Sequence, residues 1–184
     1  MATSQVFNPH RLTVQESLNQ HLGKVIRVTP TLTEDSAYAD GDVLFTATEI
    51  PNAVPKKGGT SRLLNAFLVD QELDTFGFDA IFAEKNTAIG TIHATADISD
   101  ANVEAMNVLG AISFRNNTAN TADLDNVGIY QALQLGLGAA YTPSILLQAE
   151  SGSTSVYVSG VITTGTPTFA DVDDLDLILH IEYR

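Results

Sequence analysis

Four histidines, His10, His21, His93 and His180, are the first residues in this chain that could hold a metal or move a proton. None lies within four positions of another, so neither an H-x-H pair on a strand nor an H-E-x-x-H pair on a helix can form. The run Asp171-Val172-Asp173-Asp174-Leu175-Asp176 puts carboxylates two apart, a spacing that can share an oxygen-seeking ion such as Ca²⁺. It lacks the glycine of an EF-hand loop and reads better as a solvated turn before a final strand. Gly58-Gly59-Thr60-Ser61 follows Lys56-Lys57, whereas a phosphate-cradling loop has its lysine after the glycines. No G-x-S-x-G elbow occurs, and with no cysteine the chain has neither thiolate ligands nor disulfides. Asn116-Asn117-Thr118 fits the glycosylation pattern but, without a secretory signal, reads as a polar loop. The expectation is a protein that is not an enzyme, with no cofactor and no metal ligand set.

What remains is a chain suited to contact. Its 184 residues allow one good core, and 44% hydrophobic residues argue against disorder. Charged residues reach only 17%, below the usual quarter, and Thr, Ser, Asn and Ala suit strand faces and turns. The net charge of −13 disfavours nucleic acid, whose phosphates require clustered Lys and Arg. Residues 1–62 hold six bases and six acids, leaving three bases and sixteen acids for residues 63–184. No stretch approaches the roughly 20 apolar residues of a membrane span, so no membrane partner is expected. The N-terminus has no basic patch followed by an apolar run, so the chain is expected to be made in the cytoplasm.

The elements that position these residues follow from periodicity. Residues 1–22 read as an arm. Val6, Phe7, Leu12, Val14, Leu18 and Leu22 show no period of two, although Val14, Leu18 and Leu22 are spaced for a short helix from Thr13 to Leu22. Arg11 is the arm's one Lys or Arg, against Glu16. Residues 23–184 read as a single β domain. Strands are expected at Lys24–Thr29, Val43–Thr48, Arg62–Val69, Thr75–Ala83, Val108–Phe114, Ile145–Ala149, Thr154–Thr164 and Leu175–Tyr183. The apolar run Arg62–Val69 predicts a strand buried on both faces, whereas Phe76, Phe78 and Phe82 share one face at period two. Ser99 would cap one short helix with Val103 and Met106 inward. Gly128–Ala140 is an apolar, glycine-rich stretch that fits a core or a subunit contact. In the last strand, Leu175, Leu177, Leu179, Ile181 and Tyr183 alternate with Asp176, Ile178, His180 and Glu182. The fold class is all-β: a jelly-roll-like β-sandwich with one short helix and an extended N-terminal arm.

The order of these segments resembles a family of small structural proteins from tailed bacteriophages. The likeness runs through Val28-Thr29-Pro30, Tyr38, Gly41-Asp42-Val43 and Ile50-Pro51-Asn52-Ala53. It continues through Val69-Asp70, the Phe78–Phe82 and Val108–Phe114 strands, and Tyr157-Val158 with Val161. It closes with Gly165-Thr166-Pro167-Thr168-Phe169 and the alternating Leu175–Tyr183. The resemblance implies a capsid decoration, or cement, protein with a jelly-roll body on the exterior of the virion. Its implied partners are the major capsid protein and neighbouring copies of itself, as a homotrimer. The candidate contact residues are Phe7, Arg11, Leu12, Val14, Leu18 and Leu22 of the arm, with Lys56 and Lys57. Two alternatives stand beside it. One is a tail or fibre-associated binding module. The other is a carbohydrate-binding or hydrolytic jelly roll, against which the absence of Trp and the presence of only five Tyr count.

Overall fold

The computed structural model describes residues 23–115, 121–134 and 144–183. The arm and its six candidate contact residues therefore lie outside the described residues. Alternation decides the first strand: in β1 (Gly23–Val28), Ile26 and Val28 are buried, whereas Val25 and Arg27 face solvent. β2 (Val43–Ile50) instead buries consecutive residues, Val43 to Phe45, β3 (Thr60–Asp70) and β4 (Gly77–Ala83) follow the alternation in part, and β5 (Val108–Arg115) again buries consecutive residues, Ile112 to Phe114. Three short strands, β6 (Thr121–Asp123), β7 (Gly128–Gln131) and β8 (Leu133–Gln134), precede β9 (Ile145–Gln148). The long strands β10 (Val156–Thr164) and β11 (Leu175–Tyr183) complete the set.

All strand pairing is antiparallel, in two sheets. One runs β1-β11-β3-β7-β6, with β9 beside the first half of β3 and β7 beside its second half. The other runs β2-β10-β4-β5-β8. The principal strands thus interleave as β1-β11-β3-β7 and β2-β10-β4-β5, the nested Greek-key order of a jelly roll. Between them lies one core. Phe78 stacks on Phe114 with ring centroids 4.9 Å apart and meets Phe45 edge-on at 5.9 Å. Phe76, Phe78 and Phe82 are all buried there, as their spacing predicts.

The connection from β4 to β5 lies over the outside of the second sheet. It carries α1 (Asp100–Met106), whose cap Ser99 accepts a hydrogen bond from the Asn102 N–H at 3.3 Å. Ile89 and Met106 pack with Val43 and Ala83 into a second small cluster, joined by Ile81, Ala96, Ile98 and Val161. Val103, expected inward with Met106, is 42% exposed. Seven residues make two turns, and Met106 alone reaches the sheet.

β3 corrects another expectation. Ser61, Leu63, Ala66 and Leu68 are buried, but Leu64 is 42% exposed and Phe67 and Val69 are half-buried. A bulge where His180/Asn65 pairing passes to Ile181/Leu63 turns both Leu64 and Asn65 outward. The apolar run is continuous because both faces are apolar, although only one packs into the core. Of Gly128–Ala140, the described part forms β7 and β8. There the chain passes from one sheet to the other at Ala132, whose N–H donates to the Ala66 carbonyl at 2.9 Å.

Candidate contact surface

Lys56 and Lys57 occupy the exposed tip of the β2–β3 loop, and the loop beneath them is firmly held. Ala53 and Val54 are buried as plugs, and the Ser61 hydroxyl donates to the Ala53 carbonyl at 2.6 Å. The Val54 and Gly58 N–H groups donate to the Thr154 and Ser153 carbonyls, at 3.1 and 3.0 Å. Gly58 has φ +66°, and a Cβ on Gly59 would sit 2.8 Å from the Lys56 carbonyl oxygen, so this tight turn favours both glycines. The two ammonium groups are therefore displayed from a fixed base.

The same loop receives the root of the arm. Lys24, the second residue of β1, donates from Nζ to the Asn52 carbonyl at 3.4 Å and lies 5.8 Å from the centre of the Tyr183 ring. The Tyr183 hydroxyl donates to the same carbonyl at 2.6 Å. Lys24, Lys56, Lys57 and the point where residues 1–22 join the body thus share one end of the sandwich. An open polar cleft adjoins it, lined by Gly58, Glu84, Lys85 and Gln148–Ser151, with Lys85 and Glu150 3.9 Å apart.

The opposite end is acidic. Four of the described segments there, 29–42, 70–76, 121–127 and 165–174, hold four, three, two and three carboxylates and no Lys or Arg, and Arg115 ends β5 beside them. Several of these shape their own turns. The Asp42, Asp123 and Asp174 carboxylates accept the N–H groups of Ala39, Asp125 and Asp171. Asp70, fully buried, accepts the N–H groups of Glu72 and Asp74 at 3.1 and 2.9 Å and the Tyr130 hydroxyl at 3.3 Å. Burial outweighs these donors and pushes the Asp70 carboxyl up to about 6. The same burial, together with the Asp70 charge, raises the Tyr130 phenol. Asp176 is the converse case. The Arg27 guanidinium donates to it, the Thr29 hydroxyl donates at 2.5 Å, and its carboxyl lies below the ordinary range. In the candidate cation run, Asp174 and Asp176 are thus turned to different partners within the fold, and no metal-binding group of three ligands occurs among the described residues.

No protein-family model matches the chain, and comparison with curated proteins gives no match.

The two outer faces of the sandwich differ, which the sequence reading missed. Part of the second sheet's outer face is covered by Ile89, Ala96, Ile98 and Met106 of the β4–β5 connection. On the first sheet, the register places Val25 opposite His180, Ile178 opposite Phe67, and Val69 opposite Ile129. Val25 and Leu146 are 62% and 55% exposed, and Phe67 lies against the His180 ring at 5.3 Å. The signal was present in the sequence as apolar residues on the polar phase of β1, β3, β9 and β11.

Proposed function

We propose that this chain is a non-enzymatic structural protein of a tailed-phage virion. It binds the outer surface of the capsid as a decoration or cement protein and bridges neighbouring subunits, most simply as a homotrimer at threefold and quasi-threefold positions. The observation that carries this reading is the polarity of the body. The start of β1 with Lys24, and Lys56 and Lys57, lie at one end, and four segments that together carry twelve carboxylates and no Lys or Arg lie at the other.

A protein docked by its arm-bearing end turns the acidic end to solvent, where like charge keeps particles apart. The jelly roll supplies a stiff body, because its interleaved strands form one core. The resemblance to phage structural proteins rests on residues of that body: Tyr38, Val43, Ile50, Ala53, Asp70 and Phe169 are all buried. Contacts too weak singly to hold a shell under outward pressure gain strength when repeated on a lattice.

The test is to raise antibody to the purified chain and label phage particles produced from the genome that encodes it. Label over the head, together with loss of heat resistance in particles assembled without the chain, is the expected result. Label confined to the tail would establish the fibre-module reading instead. Particles free of the chain would overturn both.

A further inference from the structure

We propose that Asp70, Tyr130 and Asp74 form an acid-operated latch. One proton taken up at Asp70 completes a hydrogen-bond chain that pins three segments of the acidic end together. The inference concerns the body alone and holds whatever partner it binds. Three observations support it.

The first is a shortage of hydrogens. The Tyr130 hydroxyl has one hydrogen and faces two acceptors, the Asp70 Oδ2 at 3.3 Å and the Asp74 carbonyl at 3.1 Å. Both distances are long for an O–H donor, whose usual separation is about 2.7–2.8 Å. Tyr130 and Asp70 are 1% and 0% exposed, so the acceptor left unserved is buried. With the hydrogen on the Asp74 carbonyl, the nearer acceptor, lone pairs of the Tyr130 Oη and the Asp70 Oδ2 confront each other. A proton on Oδ2 removes the conflict. Asp70 then donates to the Tyr130 oxygen, and Tyr130 donates to the Asp74 carbonyl. Oδ2 keeps a lone pair for the Asp74 N–H, which reaches it at 2.9 Å.

The second is what the chain of bonds holds. Asp70 ends β3 in register with Gly128 of β7 and Leu175 of β11. Its carboxylate gathers the Glu72 and Asp74 N–H groups around Leu73, whose φ of +55° is a strained, left-handed conformation for leucine. The Asp74 carboxylate in turn accepts the Thr168 N–H at 2.7 Å, and the Gln71 N–H donates to the Asp174 carbonyl at 3.0 Å. The Tyr130 ring lies against Gly128, where a Cβ would sit 2.7 Å from it. One proton thus acts on residues 70–76, on β7 and on the 165–174 loop.

The third is the electrostatic setting. Asp74 and Asp123 face the Asp70–Tyr130 pair, Glu72 is exposed beside it, and Asp174 is turned to the Asp171 N–H. The four acidic segments supply no Lys or Arg, and Arg115 donates to Asp79 and to the Phe78 and Phe114 carbonyls. Burial, with the Asp74 charge added to it, holds the Asp70 carboxyl at about 6. The latch therefore closes as pH falls from about 7 to about 5.

The role of Tyr130 fixes the sign of the test. A tyrosine that donates to the charged carboxylate lowers the Asp70 midpoint, whereas one that accepts from the protonated carboxyl raises it. Carbon-13 NMR titration of the Asp70 carboxyl reads that midpoint in the full chain and in Tyr130→Phe. The expected result is a fall in the variant, toward the ordinary 3.8. An unchanged or raised midpoint would overturn the proposal. Hydrogen exchange at the Thr168 amide, corrected for its intrinsic rate, gives a second reading that does not depend on Tyr130→Phe folding. Protection in the parent should rise about fivefold from pH 7 to pH 5. In Asp70→Asn, whose amide donates to the Tyr130 oxygen at every pH, it should not change with pH. Equal protection of the parent at both pH values, or the same rise in Asp70→Asn, would overturn the latch.

Discussion

Single side chains set opposite pH responses within this fold. Asp70 is charged at neutral pH in a buried site, with its carboxyl at about 6 in the folded state against 3.8 ordinarily. A raised carboxyl favours the folded state at low pH, so its contribution is complete below about 3.8 and is lost as pH rises through about 6. Between roughly pH 7 and pH 5 this group alone should add on the order of 1 kcal/mol of stability. Urea titrations of the parent and Asp70→Asn at both pH values check this. The variant should lose that increment, although it also gives up one of the N–H bonds that hold the 70–74 turn. Asp176 acts in the other direction. Its lowered carboxyl stabilises the fold above its ordinary range, and that contribution fades as acid protonates it. At Gly160, a Cβ would sit 2.5 Å from the buried Phe45 ring. Gly160→Ala should cost about 1–3 kcal/mol and lower the melting temperature by about 2–10 °C, measured by calorimetry.

Among the elements, β11 is the central support of the first sheet, hydrogen-bonded to β1 on one side and β3 on the other. Its alternation has direct consequences. Leu179 is fully buried, so Leu179→Asp places an unpaired carboxylate in the core at a cost of several kcal/mol and should give insoluble protein. His180, one residue on, faces outward and rests on Phe67. His180→Ala should fold with a melting temperature within a few degrees of the parent. Equal solubility of the two variants would show that the register of β11 is wrong. The β2–β3 loop is fixed from below by buried Ala53 and Val54, so changes at its tip should not reach the core. Lys56→Glu with Lys57→Glu is thus expected to leave thermal unfolding unchanged while weakening capsid binding, an effect that diminishes as salt is raised.

For the molecule as a whole, the division into arm and body predicts separable functions. Removing residues 1–22 should leave the melting temperature nearly unchanged and abolish retention on particles that lack the native copy. A destabilised body that still decorates the shell would show that the arm belongs to its own domain. Sedimentation of the full chain at micromolar concentration tests the homotrimer. The body is also expected to unfold at the same temperature, to within a couple of degrees, with and without EDTA. A fall of about ten degrees or more would restore the Asp171–Asp176 run as a structural Ca²⁺ site.

Much of the body was legible in the sequence because strand alternation is a local property. β1, β4, β10 and β11 bury the residues their period of two selects, and Ser99 caps a helix for a reason confined to four residues. Three features depended on the tertiary structure. Whether the outward phase of β3 was covered could not follow from RLLNAFLV, since an apolar side chain reads alike under a second layer or facing water. Val103 failed as a core residue because helical phase says which residues share a face, but only packing says which of them touches the sheet. The segregation of charge is the clearest case. Lys24 and Lys56 lie 32 positions apart, and the four acidic loops are spread from residue 29 to residue 174. The interleaved sheet order, a long-range choice made by the core, brought Lys24 beside the loop of Lys56 and Lys57 and gathered four acidic segments at the opposite end.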